Sequence, residues 1–221
     1  GGLCFFLAAT LLAVALAIER TRSGGPATAA WLTAGLLAGS GMACKYTGLV
    51  QVVLPALVAA VVMAGRSQRG GSEGQSPRSA VRLVMVFGVG VALTIGPWLL
   101  KNLYETGNPV YPLAHTVFGG EDWSEADNLK WRMAHSSSDF SPTSLVNGAL
   151  DVVSRNDWQS PLVFGLAPLA LLVTVRRRGA VCLWLLVAWL FFSWWGLTHR
   201  LDRFWVPLLP VVSLLAGIGM T

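Results

Sequence analysis

Basic side chains next to apolar runs carry the chemistry this sequence could do. The densest group is His199, Arg200, Asp202 and Arg203, immediately before the last apolar stretch. Lys45 with Tyr46, and Lys101 with Asn102, stand at the ends of earlier ones. An ionisable group at the end of a membrane span must be paired, hydrated or bound to a ligand. Each of these cations can simply snorkel to the interface. Together they can also grip a phosphate, with Arg offering a bidentate fork and Lys a point charge. Asp202 between Arg200 and Arg203 can equally neutralise them locally.

Other chemistries leave no mark. There is no HExxH, DxD, Gly-rich phosphate loop, nucleophile elbow or Cys/His pair, so no metal and no cofactor is expected. His115 and His135 lie among carboxylates without ligand spacing. Cys4, Cys44 and Cys182 sit in separate apolar stretches and read as ordinary buried thiols. The net charge of +5 points to no nucleic-acid partner, because the basic residues fall in short loops between apolar runs.

The elements that must position these groups are membrane helices. Hydrophobic residues make up 54% of the chain and charged ones 12%, well under the roughly 25% of a soluble domain. Apolar stretches run over residues 1–18, 26–44, 47–65, 83–100, 161–175, 180–197 and 204–220. Most approach the ~20 residues that cross ~30 Å of hydrocarbon as a helix, and continuous apolarity without alternation excludes a β-barrel. The stretch at 161–175 is short and crosses only where its flanks join it or the bilayer thins. The expectation is an all-α polytopic bundle of about seven crossings: helices over 1–100 and 161–221, with a non-cytoplasmic loop region at 101–160.

Charge placement orients the bundle. If the chain leaves the first span on the cytoplasmic side, the inner loops hold nine Arg against two Glu, and the outer ones seven basic against nine acidic residues. Only Lys45 and Tyr46 separate the second and third stretches, which read as a tight hairpin because a single helix there would be ~60 Å long. Residues 67–79 are a Gly/Ser/Arg linker. In the outer loop, Gly107, Asn108 and Pro109 read as a turn, Pro109 and Pro112 should hold Tyr111 extended, and residues 121–134 should form a short helix. Pro97 should kink the fourth span and re-aim Lys101 and Asn102. Trp194, Trp195 and Trp205 read as an interfacial belt. Trp123, Trp131 and Trp158 either pack the loop or stack on sugar faces.

Residues 39–49 (GSGMACKYTGL), 96–113 (GPWLLKNLYETGNPVYPL) and 199–219 (HRLDRFWVPLLPVVSLLAGIG) occur in an order that resembles the GT-C membrane glycosyltransferases. The likeness is to the bacterial branch similar to protein mannosyltransferases and aminoarabinose transferases. It implies a multi-pass enzyme of the plasma (inner) membrane. Such an enzyme moves a sugar from a polyprenyl-phosphate donor to an acceptor at the outer face, with a carboxylate as general base and basic residues offsetting charge on the leaving phosphate. Lys45 and Tyr46 would then face the donor cavity, Lys101 and Asn102 the loop mouth, and Arg200 with Arg203 the carrier phosphate. Phe204 replaces the family's commoner Tyr. The base belongs to a loop that would precede residue 1, so the chain reads as part of a longer protein and its catalytic residues stay unassigned. The competing readings are a transporter or flippase of an anionic or lipid-linked substrate, and a purely structural membrane subunit.

Overall fold

Apolar runs with no period-2 alternation can satisfy their backbone only as helices, and each of the seven stretches is helical. The computed structural model describes residues 1–69, 77–136, 139–157 and 159–221, and among these there is no strand. The helices are α1 (Gly2–Arg22), α2 (Thr28–Cys44), α3 (Leu54–Arg69), α4 (Pro77–Thr106), α5 (His115–Phe118), α6 (Glu125–His135), α7 (Pro142–Val153), α8 (Leu162–Leu166), α9 (Arg177–Leu197) and α10 (Leu208–Gly219). A π-helical turn, Leu49–Val53, leads into α3, and a 3-10 segment, Ala167–Leu171, extends α8. Among the described residues, four helical segments are long and apolar enough to cross a membrane: Gly2–Arg22, Leu49–Arg66, Val81–Thr106 and Thr174–Leu197. Thr28–Cys44, Leu162–Leu171 and Leu208–Gly219 are shorter apolar helices. The chain therefore has the character of a multi-pass membrane protein. Most of the linker read at 67–79 lies outside the described residues.

Two compact units divide the chain, Gly1–Asn128 and Leu129–Thr221. In the first, α2 lies against α4 with almost nothing between the backbones. A β-carbon at Gly35 would collide with the Phe87 carbonyl, one at Gly39 with the Thr94 hydroxyl, and one at Gly90 would stand 2.6 Å from the Leu32 carbonyl. Without a hydrophobic driving force inside lipid, such close approach supplies the packing and dispersion that hold helices together. α1 covers the other side of α2, burying Leu7, Val14 and Ala17.

The hairpin after α2 is real as a break in the helix. Lys45 is extended (φ −167°, ψ 134°), and the chain resumes helix at Leu49. Gly48 packs on the backbone of Gly41, where a β-carbon would meet the carbonyl at 2.5 Å. Only glycine allows this tight return. Pro97 lies inside α4 without ending it.

In the second unit, α10 packs on α8 and its 3-10 extension and on α9. Trp194 and Trp205, read from sequence as an interfacial belt, are instead core: they are 2% and 0% exposed. The Trp194 indole donates to the Leu201 carbonyl (3.0 Å), which gives a large apolar ring its one polar need inside the unit. The three cysteines are free, and Cys44 and Cys182 are exposed rather than buried.

Candidate functional site

The sequence-derived residues fall into two groups, each within one unit. In the first unit Tyr46 is the centre. Its hydroxyl accepts from Trp98 Nε1 (3.0 Å) and from Asn102 Nδ2 (2.9 Å). Asn102 is 6% exposed and also donates to the Pro109 carbonyl (3.4 Å). Tyr46 and Asn102 are thus each other's partners. Lys101 pairs with Glu105 one turn on and lies 5.2 Å from the ring of Trp98. That pair is half-exposed on both sides, so it contributes little stability. Lys45 is half-buried beside Tyr46 in the chain.

Asn108, which the sequence marked only as part of a turn, organises the whole loop after α4. Gly107, at φ +73°, ends the helix in the left-handed region that glycine enters freely. Asn108 is 0% exposed. Its side-chain amide donates to the Leu113 (2.8 Å) and Gly119 (3.1 Å) carbonyls, and its side-chain oxygen accepts from the Val110 amide (2.9 Å). Tyr111 lies in the turns of this loop, its amide donating to the Asn108 carbonyl (3.2 Å). Asn108 satisfies the backbone of a compact loop that two prolines alone would leave open. The Tyr111–Pro112 bond is cis. Trp123, read as helical, precedes α6 and meets Tyr111 edge-on at 5.9 Å. Ser124 takes the capping position, accepting from the Asp127 amide (3.2 Å).

The second unit gathers His199, Arg200 and Arg203. Arg200 has φ +57°. Its Nε donates to the Trp195 carbonyl (2.9 Å), Nη1 to Ser144 Oγ and Nη2 to the Asp139 carbonyl. The guanidinium also lies over the rings of Trp195 (4.8 Å) and Phe140 (5.4 Å). Ser144 lies in the first turn of α7, and Asp139 and Phe140 lie just before it; the cap Ser141 accepts from the Ser144 amide (3.1 Å), and Pro142 suits the first helical position. The Ser141 amide donating to Asp139 holds that carboxyl below its ordinary value, with the charge of Arg200 adding to the effect.

His199 meets His135 (4.8 Å) and Phe204 (4.8 Å) edge-on, and His135 stacks on Trp131 (4.5 Å). Arg203 is exposed at the 3-10 turn Asp202–Phe204, 5.3 Å from the Phe204 ring. His115 faces Glu125 in the first unit (3.5 Å). Among the described residues no cluster of three or more His, Cys, Asp or Glu could hold a metal. Trp158 lies outside the described residues.

Sequence reading missed a cavity of about 470 Å³ in the second unit, lined by Val152 of α7, Phe164 of α8, Trp184 and Phe191 of α9, and Leu208 of α10. Its walls are almost wholly apolar. The space is an open recess, and an apolar recess of this kind favours hydrocarbon over water. Apolar residues on four separate helices carry no joint signal until the fold brings them together. No family profile, curated protein or solved structure matches this chain.

Proposed function

We propose that this chain belongs to a membrane glycosyltransferase of the GT-C type, crossing the bilayer seven times, that takes its sugar from a polyprenyl-phosphate carrier at the outer face. The observation that carries the reading is one short segment with two chemistries. Leu208, itself buried, forms part of the floor of the open apolar recess, and Arg203, five residues earlier and roughly 8–10 Å away along the turns, is an exposed cation. A single-chain amphiphile with an anionic head fits that pairing, hydrocarbon in the cavity and phosphate at the arginine. The aromatic and polar loop elements beside it, Trp131 with His135 and His199, offer ring faces to a sugar.

In the transfer, an acceptor hydroxyl oxygen attacks the anomeric carbon as the bond from that carbon to the carrier phosphate oxygen breaks. The hydroxyl proton passes to a carboxylate base. The carrier leaves as a phosphate whose added charge Arg203 offsets, a benefit that grows as the bond breaks. Tyr46, Asn102 and Lys101 shape and charge the loop end of α4, and Lys45 adds charge at the hairpin.

The test is sugar transfer by the full-length protein in proteoliposomes from a radiolabelled polyprenyl-phosphate sugar, comparing wild type with Arg203→Ala at equal protein level. Labelled product that falls at least tenfold in the variant is expected, the loss of one charged contact being worth roughly 1.5–3 kcal/mol. No product with any acceptor, alongside movement of the labelled lipid between leaflets, would mean a flippase instead.

A further inference from the structure

Arg200 and Arg203 are three residues apart and carry the same group, yet their surroundings differ in kind. Arg203 is exposed, its guanidinium over the neighbouring Phe204 ring. Arg200 is half-buried and donates through all three of its nitrogens, to Trp195, Ser144 and Asp139. The acceptors are themselves linked, because Ser144 Oγ donates to the same Asp139 carbonyl (3.2 Å). Phe140 and Trp195, in edge-to-face contact with each other (5.4 Å), form a corner around the guanidinium.

The backbone of Arg200 is also unusual. At φ +57° it occupies a region that residues bearing a β-carbon rarely adopt and that persists only where the surroundings over-determine it. Its amide donates to Thr198 Oγ1 (3.1 Å), and Thr198 Oγ1 donates to the Trp194 carbonyl (2.7 Å), so the strained residue is tied to α9 as well as to α7.

We infer that Arg200 is a positioning residue, which pins the loop between α9 and α10 to the first turn of α7 and thereby sets where Arg203 meets an anionic headgroup. The headgroup's identity rests on the function proposed above, while the pinning does not. A planar fork with three donors in fixed directions and two ring faces cannot be replaced by an ammonium. A cation at the end of an exposed stem can.

Charge-conserving substitution separates the two roles. In the full-length protein in detergent, hydrogen exchange is read at the amides of the first turn of α7, and farnesyl phosphate binding by titration. Arg200→Lys and Arg200→Gln should both speed exchange there about tenfold or more and weaken binding alike, since local opening follows the contacts that hold a segment. Arg203→Gln should weaken binding about tenfold with exchange at α7 unaltered, and Arg203→Lys should recover most of that loss. Ser144→Ala, which removes one acceptor and leaves the arginine, should speed exchange to an intermediate degree. Exchange in Arg200→Lys and Ser144→Ala equal to wild type would overturn the positioning role. Binding restored by Arg200→Lys to the wild-type level would make Arg200 a direct phosphate contact instead. Faster exchange in the Arg200 variants while even the wild type binds no farnesyl phosphate would leave the pin standing and remove the carrier reading.

Discussion

Asn102 gives an amide hydrogen to the phenol oxygen of Tyr46 at 2.9 Å, joining the C-terminal part of α4 to the turn after α2 across 56 residues of sequence. Because Asn102 is buried, removing the oxygen leaves a desolvated donor with only the longer bond to Pro109. Tyr46→Phe should therefore cost about 1–3 kcal/mol. Thermal unfolding in detergent checks this, and Asn102→Ala should cost less in the Tyr46→Phe background than it costs in the wild type.

Asn108 offers a sharper case. Its side chain makes three hydrogen bonds inside a loop, to groups that no helix or strand would otherwise satisfy. Asn108→Ala should open residues 108–119 to protease while leaving the apolar helices folded. Equal cleavage rates in variant and wild type would contradict the role given to it.

The helix pair α2 and α4 depends on glycine at Gly35, Gly39 and Gly90. Gly39→Leu should lower the detergent unfolding temperature sharply, because beyond the Thr94 hydroxyl its β-carbon meets the Val91 backbone, which cannot move aside as a side chain can. Gly88 is the control, since a β-carbon added there would have nothing within 4 Å. Gly88→Ala should be neutral or stabilising by up to about 1 kcal/mol.

Seven crossings and four give different addresses for the loop after α4. With seven, a cysteine at Glu121 is labelled by an impermeant maleimide from the side opposite to one at Arg22. If only the four long segments cross, both are labelled from the same side. The three native cysteines are replaced first.

Asp139 carries a pH dependence. Its carboxyl is held below its ordinary value by the Ser141 amide and further by Arg200. A lowered native pKa stabilises the fold above the ordinary value of about 3.9, and that contribution is lost as pH falls through the native midpoint. Carboxyl carbon NMR should place the Asp139 midpoint below that of an unstructured peptide, and Arg200→Gln should raise it. Asp139→Asn should shrink the difference in unfolding temperature between pH 5 and pH 3.

What the sequence disclosed and what it hid divide along physical lines. Apolar runs are local, so their helical character was legible, four of them long enough to cross a membrane, as was the break at Lys45 and Tyr46. Turn chemistry was half legible: Gly107, Asn108 and Pro109 announced a turn, but not that Asn108 would reach forward to Leu113 and Gly119. The helix expected at 121–134 is present as Glu125–His135, displaced because Ser124 supplies the cap and Trp123 packs on Tyr111. α7 was overlooked although Ser141 and Pro142 mark a helix start and Leu145, Ala149 and Val152 recur at helical spacing, and the trap around Arg200 depends on residues 56 and 61 positions away. Trp194 and Trp205 misled, since tryptophan at the edge of an apolar run is as compatible with a core as with an interface.

The glycine contact between α2 and α4 also bears on motion. Packed side chains allow neighbouring helices to slide by small repacking steps. Where backbone lies on backbone, with Gly35 and Gly39 against Phe87, Gly90 and Val91, few side chains stand between the helices to repack. The pair then moves most readily as one body. Any opening that admits or releases a large ligand must then be carried by other helices or by the loops.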